Sequence, residues 1–259
     1  MTLRISRACL LLCAALAVTI SSARAQVDAA SADTAAHPEP KDTVKKVSAV
    51  FDLGLVSASG NTSVTTLTVG DEVIYRHHAW TFKQVLGYVY GKDSSGETAN
   101  QLAIGLRAER AIGPRFGVYG GARFYRDPFA GIAQRYSEQV GGLWHAVIAP
   151  KDLLDLEAGL GLTQERTTND STNDFPNGRA ALMYRHNWKK KTYFQETAEI
   201  LPDLSDSKNY RVNSLTEVVA PLSSNIAMRF SYAIAYNNMP QSPFKNSDRI
   251  LTAGVQINF

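Results

Sequence analysis

The residues with the most chemistry in this 259-residue chain are arginines and carboxylates set at every second position between apolar or small neighbours. Arg107 and Glu109 alternate with Leu106 and Ala108, and Asp155 and Glu157 alternate with Leu154, Leu156 and Ala158. Arg123, Arg179, Arg185, Arg211, Glu217 and Arg229, together with Asp52 and Lys83, fall into similar surroundings. A period of two puts all charges on one face of an extended strand and all greasy groups on the other. Charges lining a wet lumen set the field felt by passing ions and solutes. The same groups, paired as Arg–carboxylate cross-links, instead form a plug. The sequence leaves both readings open.

The elements that must hold these residues are long strands. Period-two alternation predicts twelve of them, near 47–59, 63–76, 80–92, 99–112, 115–127, 134–148, 153–166, 177–187, 192–201, 210–220, 226–237 and 247–259. Most run longer than the ~5–6 residues of a globular strand and match or exceed the ~9–11 of a tilted membrane-spanning one. Their connections alternate. His77-His78-Ala79, Gly113-Pro114, 149–152, 188–191 and 221–225 are tight, whereas 93–98, 128–133, 167–176, 202–209 and 238–246 are longer and polar. Gly60-Asn61-Thr62 is the short member of the second set. Short turns at one end and longer loops at the other, with an even strand count, fit an up-and-down transmembrane β-barrel with both termini in the periplasm.

The last strand shows the pattern best. Leu251, Ala253, Val255, Ile257 and Phe259 lie on one face; Thr252, Gly254, Gln256 and Asn258 lie on the other. Leu251, Val255, Ile257 and the terminal Phe259 resemble the closing-strand signal that the barrel-assembly machinery of bacterial outer membranes reads. Trp80, Trp144 and Trp188 are expected at the periplasmic rim, and Tyr90, Tyr125, Tyr136, Tyr210 and Tyr236 at the opposite one. Three registers resist: Asp71-Glu72 and Glu196/Glu199 cannot all face inward without a bulge, and Gln84 falls on the greasy face.

Hydrolytic chemistry would need a base beside a nucleophile. The histidines are His37, His77, His78, His145 and His186; the last four fall in or near the tight-turn end. Lipid-cleaving and proteolytic outer-membrane barrels carry their histidines in the outer half, which here has none. Asn169-Asp170-Ser171-Thr172-Asn173-Asp174 offers oxygens but lacks the glycine and distal glutamate of a calcium loop, so a solvated loop is expected. No catalytic, cofactor-binding or metal residue is assigned.

Residues 1–25 read as a secretory signal: Arg4 and Arg7, an apolar run from Ala8 to Ile20, and Ala23-Arg24-Ala25 as the site of cleavage after Ala25. The apolar run is shorter than the ~20 residues of a spanning helix. Both cysteines, Cys9 and Cys13, would leave with it, as would three of the 27 basic residues, so 24 Lys+Arg would face 24 Asp+Glu. No basic field for nucleic acid remains. Residues 26–43 read as a flexible periplasmic leader, and 44–259 as the barrel.

Several segments resemble the YdiY-like family of salt-induced outer-membrane proteins, a domain family of unknown function. They are Ser59-Gly60-Asn61-Thr62, Gly70-Asp71-Glu72-Val73-Ile74-Tyr75, Tyr88-Val89-Tyr90-Gly91, the stretch 120–125 and the terminal Phe259. The resemblance implies an outer-membrane location and a link to salt, and brings no catalytic residues. The expectation is an all-β, twelve-stranded outer-membrane barrel with a structural or narrow-channel role. Its expected partners are membrane lipid, the assembly machinery and small solutes or ions. The alternatives are a barrel enzyme acting on lipid or envelope polymer and a soluble periplasmic β-protein that binds a small ligand.

Overall fold

A computed structural model describes residues 46–58, 64–189 and 192–259. The expected signal segment, the leader, Ser59-Gly60-Asn61-Thr62 and Lys190-Lys191 lie outside the described residues. Twelve strands follow one another: β1 Val47–Ala58, β2 Val64–His77, β3 Trp80–Asp93, β4 Gly96–Ala111, β5 Phe116–Asp127 and β6 Ile132–Ile148. The second half comprises β7 Asp152–Thr167, β8 Thr172–Lys189, β9 Thr192–Pro202, β10 Tyr210–Pro221, β11 Ile226–Asn237 and β12 Ser247–Asn258. Each pairs antiparallel with the next, and β12 pairs back onto β1, so the sheet closes and no strand edge is left over. At this closing seam the ladder spans only Val50–Leu53 against Val255–Asn258, extended by Phe259 N–H donating to Ala49 C=O at 2.9 Å. The β6–β7 ladder, by comparison, runs from Ile132 to Ile148.

The strands form because alternation is satisfied along their length, but with the polarity of a soluble protein inverted. In β4, Gln101, Ala103, Arg107 and Glu109 are buried, while Leu106 on the opposite face is exposed. Val140, Leu160, Leu162, Phe230 and Leu251 likewise point out into the surroundings. An apolar exterior around a charged interior is the arrangement that hydrocarbon demands.

The connections at one end are tight: 78–79, 112–115, 149–151 and 222–225. Two loops at the other end are shorter than the sequence suggests. The loop expected over 93–98 is a hairpin closed at Ser94-Ser95, with Asp93 Oδ1 accepting from Ser95 N–H at 2.7 Å and Gly96 at φ 131°. The loop expected over 167–176 shrinks to 168–171, because Thr167 N–H donates to Ser171 C=O at 2.9 Å and β8 begins at Thr172. Pro176 is accommodated inside β8, where its carbonyl accepts from Leu204 N–H just beyond the end of β9.

The unsettled registers resolve without bulges. The irregularities lie at Gly91/Lys92, between Tyr125 and Asp127, at both ends of β6 and near Asn187, and none falls at Asp71-Glu72 or Glu196–Glu199. Asp71 faces out and accepts from Gln84 Nε2 at 2.8 Å, so two greasy-face polar groups satisfy each other. Glu72 faces in and pairs with Lys83 at 2.8 Å. Glu196 faces out and accepts from Ser214 Oγ at 3.0 Å and Thr216 Oγ1 at 2.6 Å, while Glu199 is buried inside. One rim expectation is overturned. Tyr125 shares the inward parity of Arg123 and Asp127 and is wholly buried.

The tryptophans lie at the tight-turn end, where Trp80 stacks on Phe82 at 5.9 Å and Phe116 on Trp144 at 6.3 Å between ring centroids. At the loop end, Phe124 meets Tyr136 at 5.1 Å and Tyr210 meets Tyr236 at 6.0 Å.

The charged interior as candidate functional site

Six ionised groups from five strands form one connected belt inside the barrel. Arg107 on β4 donates to Glu109 at 2.7 Å and, through both terminal nitrogens, to Glu157 on β7 at 2.9 and 3.1 Å. Arg179 on β8 bonds the same Glu157 and donates to Glu199 on β9 at 2.9 Å. Glu199 in turn receives Arg123 of β5 at 3.5 Å and Asn213 Nδ2 of β10 at 2.9 Å. Three guanidiniums thus meet three carboxylates. Buried charge is tolerable only when paired in this way, since desolvation of either member alone costs several kcal/mol.

Tyr119 sits at the centre of the belt. Its ring lies 3.8 Å from the Arg107 guanidinium and 5.7 Å from that of Arg179, and its hydroxyl accepts from Arg179 at 3.1 Å. Gly141 and Gly159 make the space: a Cβ at Gly159 would lie 2.6 Å from the Tyr119 hydroxyl and equally close to the Val140 carbonyl.

Two further clusters flank the belt. Toward the loops, Gln101 donates to the Tyr125 hydroxyl at 2.6 Å, which donates to Asp127 at 3.1 Å. Arg135 lies over the Tyr125 ring and pairs with Glu165 at 2.7 Å, and Arg211 approaches the same Glu165 at 3.8 Å. The second cluster lies on the side of the closing seam, where Arg229 bonds both Asp52 on β1 and Glu217 on β10. Gln195 donates to Glu217 at 3.3 Å, and Arg185 lies 3.6 Å over the Tyr193 ring.

The charged residues expected to line the lumen point inward, but into separate clusters rather than one lining, with Lys83 on Glu72 and Asp155 on His145 apart from the three described. Arg107, Glu109, Arg123, Glu157 and Arg179 share the belt; Arg211 joins Glu165; Glu217 and Arg229 share the seam-side cluster; and Arg185 stacks on Tyr193. The sequence assigns no lumen place to Arg135 or Tyr119 and leaves that of Glu199 unsettled. The parity of Arg135 with Gln139, and of Tyr119 with Arg123, was the available signal. On the outer face of β12, Leu251, Val255, Ile257 and Phe259 are exposed, and Phe259 meets Phe51 edge-on at 5.8 Å.

Two histidines pair with aspartates outside the belt's own chain of ion pairs. His145 Nδ1 is 2.7 Å from Asp155 Oδ1, and His186 Nδ1 is 2.7 Å from Asp152 Oδ1, both toward the tight-turn end. The 169–174 oxygens serve the turn itself: Asn169 Oδ1 accepts from Thr167 Oγ1 and Ser171 N–H, and Asp170 pairs with Arg166 at 2.7 Å. Among the described residues no group of three or more His, Cys, Asp or Glu is placed to hold a metal ion.

The profile of a family described as "Protein of unknown function, DUF481" matches residues 51–259, the whole ring from within β1 to the last residue. The chain belongs to this family. No curated protein matches the DUF481 chain. Among solved structures it is similar to the COG4313 outer membrane channel from Pseudomonas putida F1, at 8% identity and a TM-score of 0.51, covering 86% of this chain and 99% of that one. That likeness shows the fold, an outer-membrane type of β-barrel. Also similar are the translocator domain of autotransporter NalP from Neisseria meningitidis (15% identity, TM-score 0.49, 84% and 89% covered) and the NanC porin (11%, 0.47, 81% and 97%).

Proposed function

We propose that this DUF481 barrel is an integral outer-membrane protein acting as a narrow, partly stoppered channel for small ions or solutes. The reading takes it as exported on residues 1–25 with cleavage after Ala25, and inserted by the barrel-assembly machinery through the Leu251, Val255, Ile257 and Phe259 face. The apolar exterior, with aromatic rings at both ends, supports insertion among lipids.

One observation carries the channel reading over a purely structural one. The belt side chains of Arg107, Arg179 and Glu199 have no exposure at all, but Glu72 keeps 33%, Asp52 23% and Arg229 24%. A stopper with only a structural role would bury its charges all round the ring. Here the charges on one side of the cross-section keep partial exposure, which supports a wet path beside them. The enzyme alternative finds no such support: among the described residues neither His–Asp pair holds a hydroxyl nucleophile on its second nitrogen.

The test is single-channel recording of the refolded barrel in planar bilayers across a range of salt concentrations. Small, reproducible steps are expected. A folded barrel that stays silent overturns the channel reading. The salt association implied by the family resemblance is part of the same proposal, and is checked by following abundance of the protein in cells shifted to high salt.

A further inference from the structure

Burial inside the barrel is lopsided. Around β4 to β10 many inward positions are closed off: Ala103 is 2% exposed, Thr197 0% and Asn213 2%. Across β11, β12, β1 and β2 a run of small inward positions at mid-height is only partly buried, Ser231, Thr252, Gly254, Gly54, Thr68 and Gly70, while Ala227, Ala233 and Gln256 beside them are buried. These positions adjoin through the ladders, with Ser231 opposite Thr252, Arg229 opposite Gly254, and Gly54 opposite Thr68. Among the described residues, Arg229 is the charged side chain that reaches across the seam in this third of the ring. Arg229 stretches from β11 past Gly254 to Asp52 on β1, while also holding Glu217 on β10.

We propose that the solvent path of the barrel runs along the β12–β1–β2 wall, and that Arg229 is its specificity-determining residue, closing the narrowest point through its pairing with Asp52. The inference rests on the channel reading for its physiological meaning, but the path itself does not require measurable conduction. Small side chains leave the width, and the packed belt forces any water or ion to this side. Arg229 supplies positive charge among Asp52, Glu217 and the nearby Glu72–Lys83 pair. Its removal leaves the carboxylates in excess, which favours cations. The ligand class is therefore a small hydrated ion, and the guanidinium tempers cation entry.

The barrel strands contain no cysteine, so single cysteines report access directly. Ser231→Cys and Thr252→Cys on the path, and Ala103→Cys and Thr197→Cys on the packed side, are refolded in detergent and treated with a small charged methanethiosulfonate. Heat-modifiable gel migration selects folded material. Path positions should react at least tenfold faster than packed ones. Equal rates overturn the path, whatever the recordings show. In bilayers, R229A should raise unitary conductance and shift the reversal potential toward cation preference, while R229K should stay near the parent. If the parent conducts and R229A changes neither quantity, the Arg229 assignment falls while the channel reading survives. A silent parent with fast, selective labelling removes the channel reading and leaves the path established.

Discussion

Arg107 and Glu157 lie fifty positions apart in the chain and three strands apart around the ring, yet two parallel hydrogen bonds join them across the interior. Such a chord ties strands that share no ladder. The wall is thus held by its perimeter of backbone bonds and also by side chains spanning its interior.

Glu157 is the member whose loss should hurt most, because it holds Arg107 and Arg179 together. Glu157→Ala leaves two guanidiniums side by side in a dry interior. Breaking a buried pair from one side costs about 3–5 kcal/mol. Urea unfolding of the refolded barrel in micelles, followed by tryptophan fluorescence, should show that loss. An unchanged midpoint would mean that the belt is solvated.

Gly159 makes room for Tyr119. An alanine there meets both the tyrosine hydroxyl and a backbone carbonyl, so β7 or β6 has to shift. A cost of about 1–3 kcal/mol is expected for G159A. Tyr119→Phe keeps the ring between the guanidiniums and loses only the Arg179 bond, about 1.5–3 kcal/mol for a charged donor. Combining the two should relieve the strain only in part, since the Val140 carbonyl remains; full rescue in the same unfolding assay would contradict this.

On the outer wall, Asp71 and Gln84 form a coupled pair. Gln84→Leu strips the carboxylate of that amide on a face turned toward hydrocarbon and should cost about 1–3 kcal/mol. The double variant D71L/Q84L should recover most of it. A double-mutant cycle reads the coupling, and strictly additive effects would show that the two groups are solvated separately.

Phe259 closes the ring twice, through its N–H to Ala49 and its ring against Phe51. The edge-on contact accounts for about 0.5–1.5 kcal/mol, so F259A should refold in micelles with a small loss of stability. In cells the loss should be larger, seen as a fall in heat-modifiable barrel in outer-membrane fractions. Equal, small losses in both settings would remove Phe259 from any assembly signal.

Period-two alternation carries most of this architecture on the surface of the sequence. It places Arg107, Glu157 and Arg229 on one side of their strands because parity alone decides the face. It could not place Glu196 and Glu199, three apart and of opposite parity, because the deciding fact is on another strand: Ser214 and Thr216 present hydroxyls to Glu196. Residue type places Tyr125 at a rim, whereas its parity with Arg123 and Asp127 points inward, where it is wholly buried. The bonds from Arg107 to Glu157 and from Arg123 to Glu199 were beyond reading, since chords across a ring depend on shear and side-chain length. Strand ends moved where local turn chemistry, as at Asp93 and Thr167, outweighed the polar appearance of the loop.

The closing seam lies within the lightly filled third of the interior, and its ladder spans only Val50–Leu53. Mechanically, the barrel is a tube braced by many struts over more than half its circumference and, along one panel, chiefly by the reach of Arg229 to Asp52. Lateral pressure from the surrounding bilayer should flatten that panel first while the braced arc stays round. Membrane thickness and tension then act on the width beside Arg229 before they act on anything else in the ring.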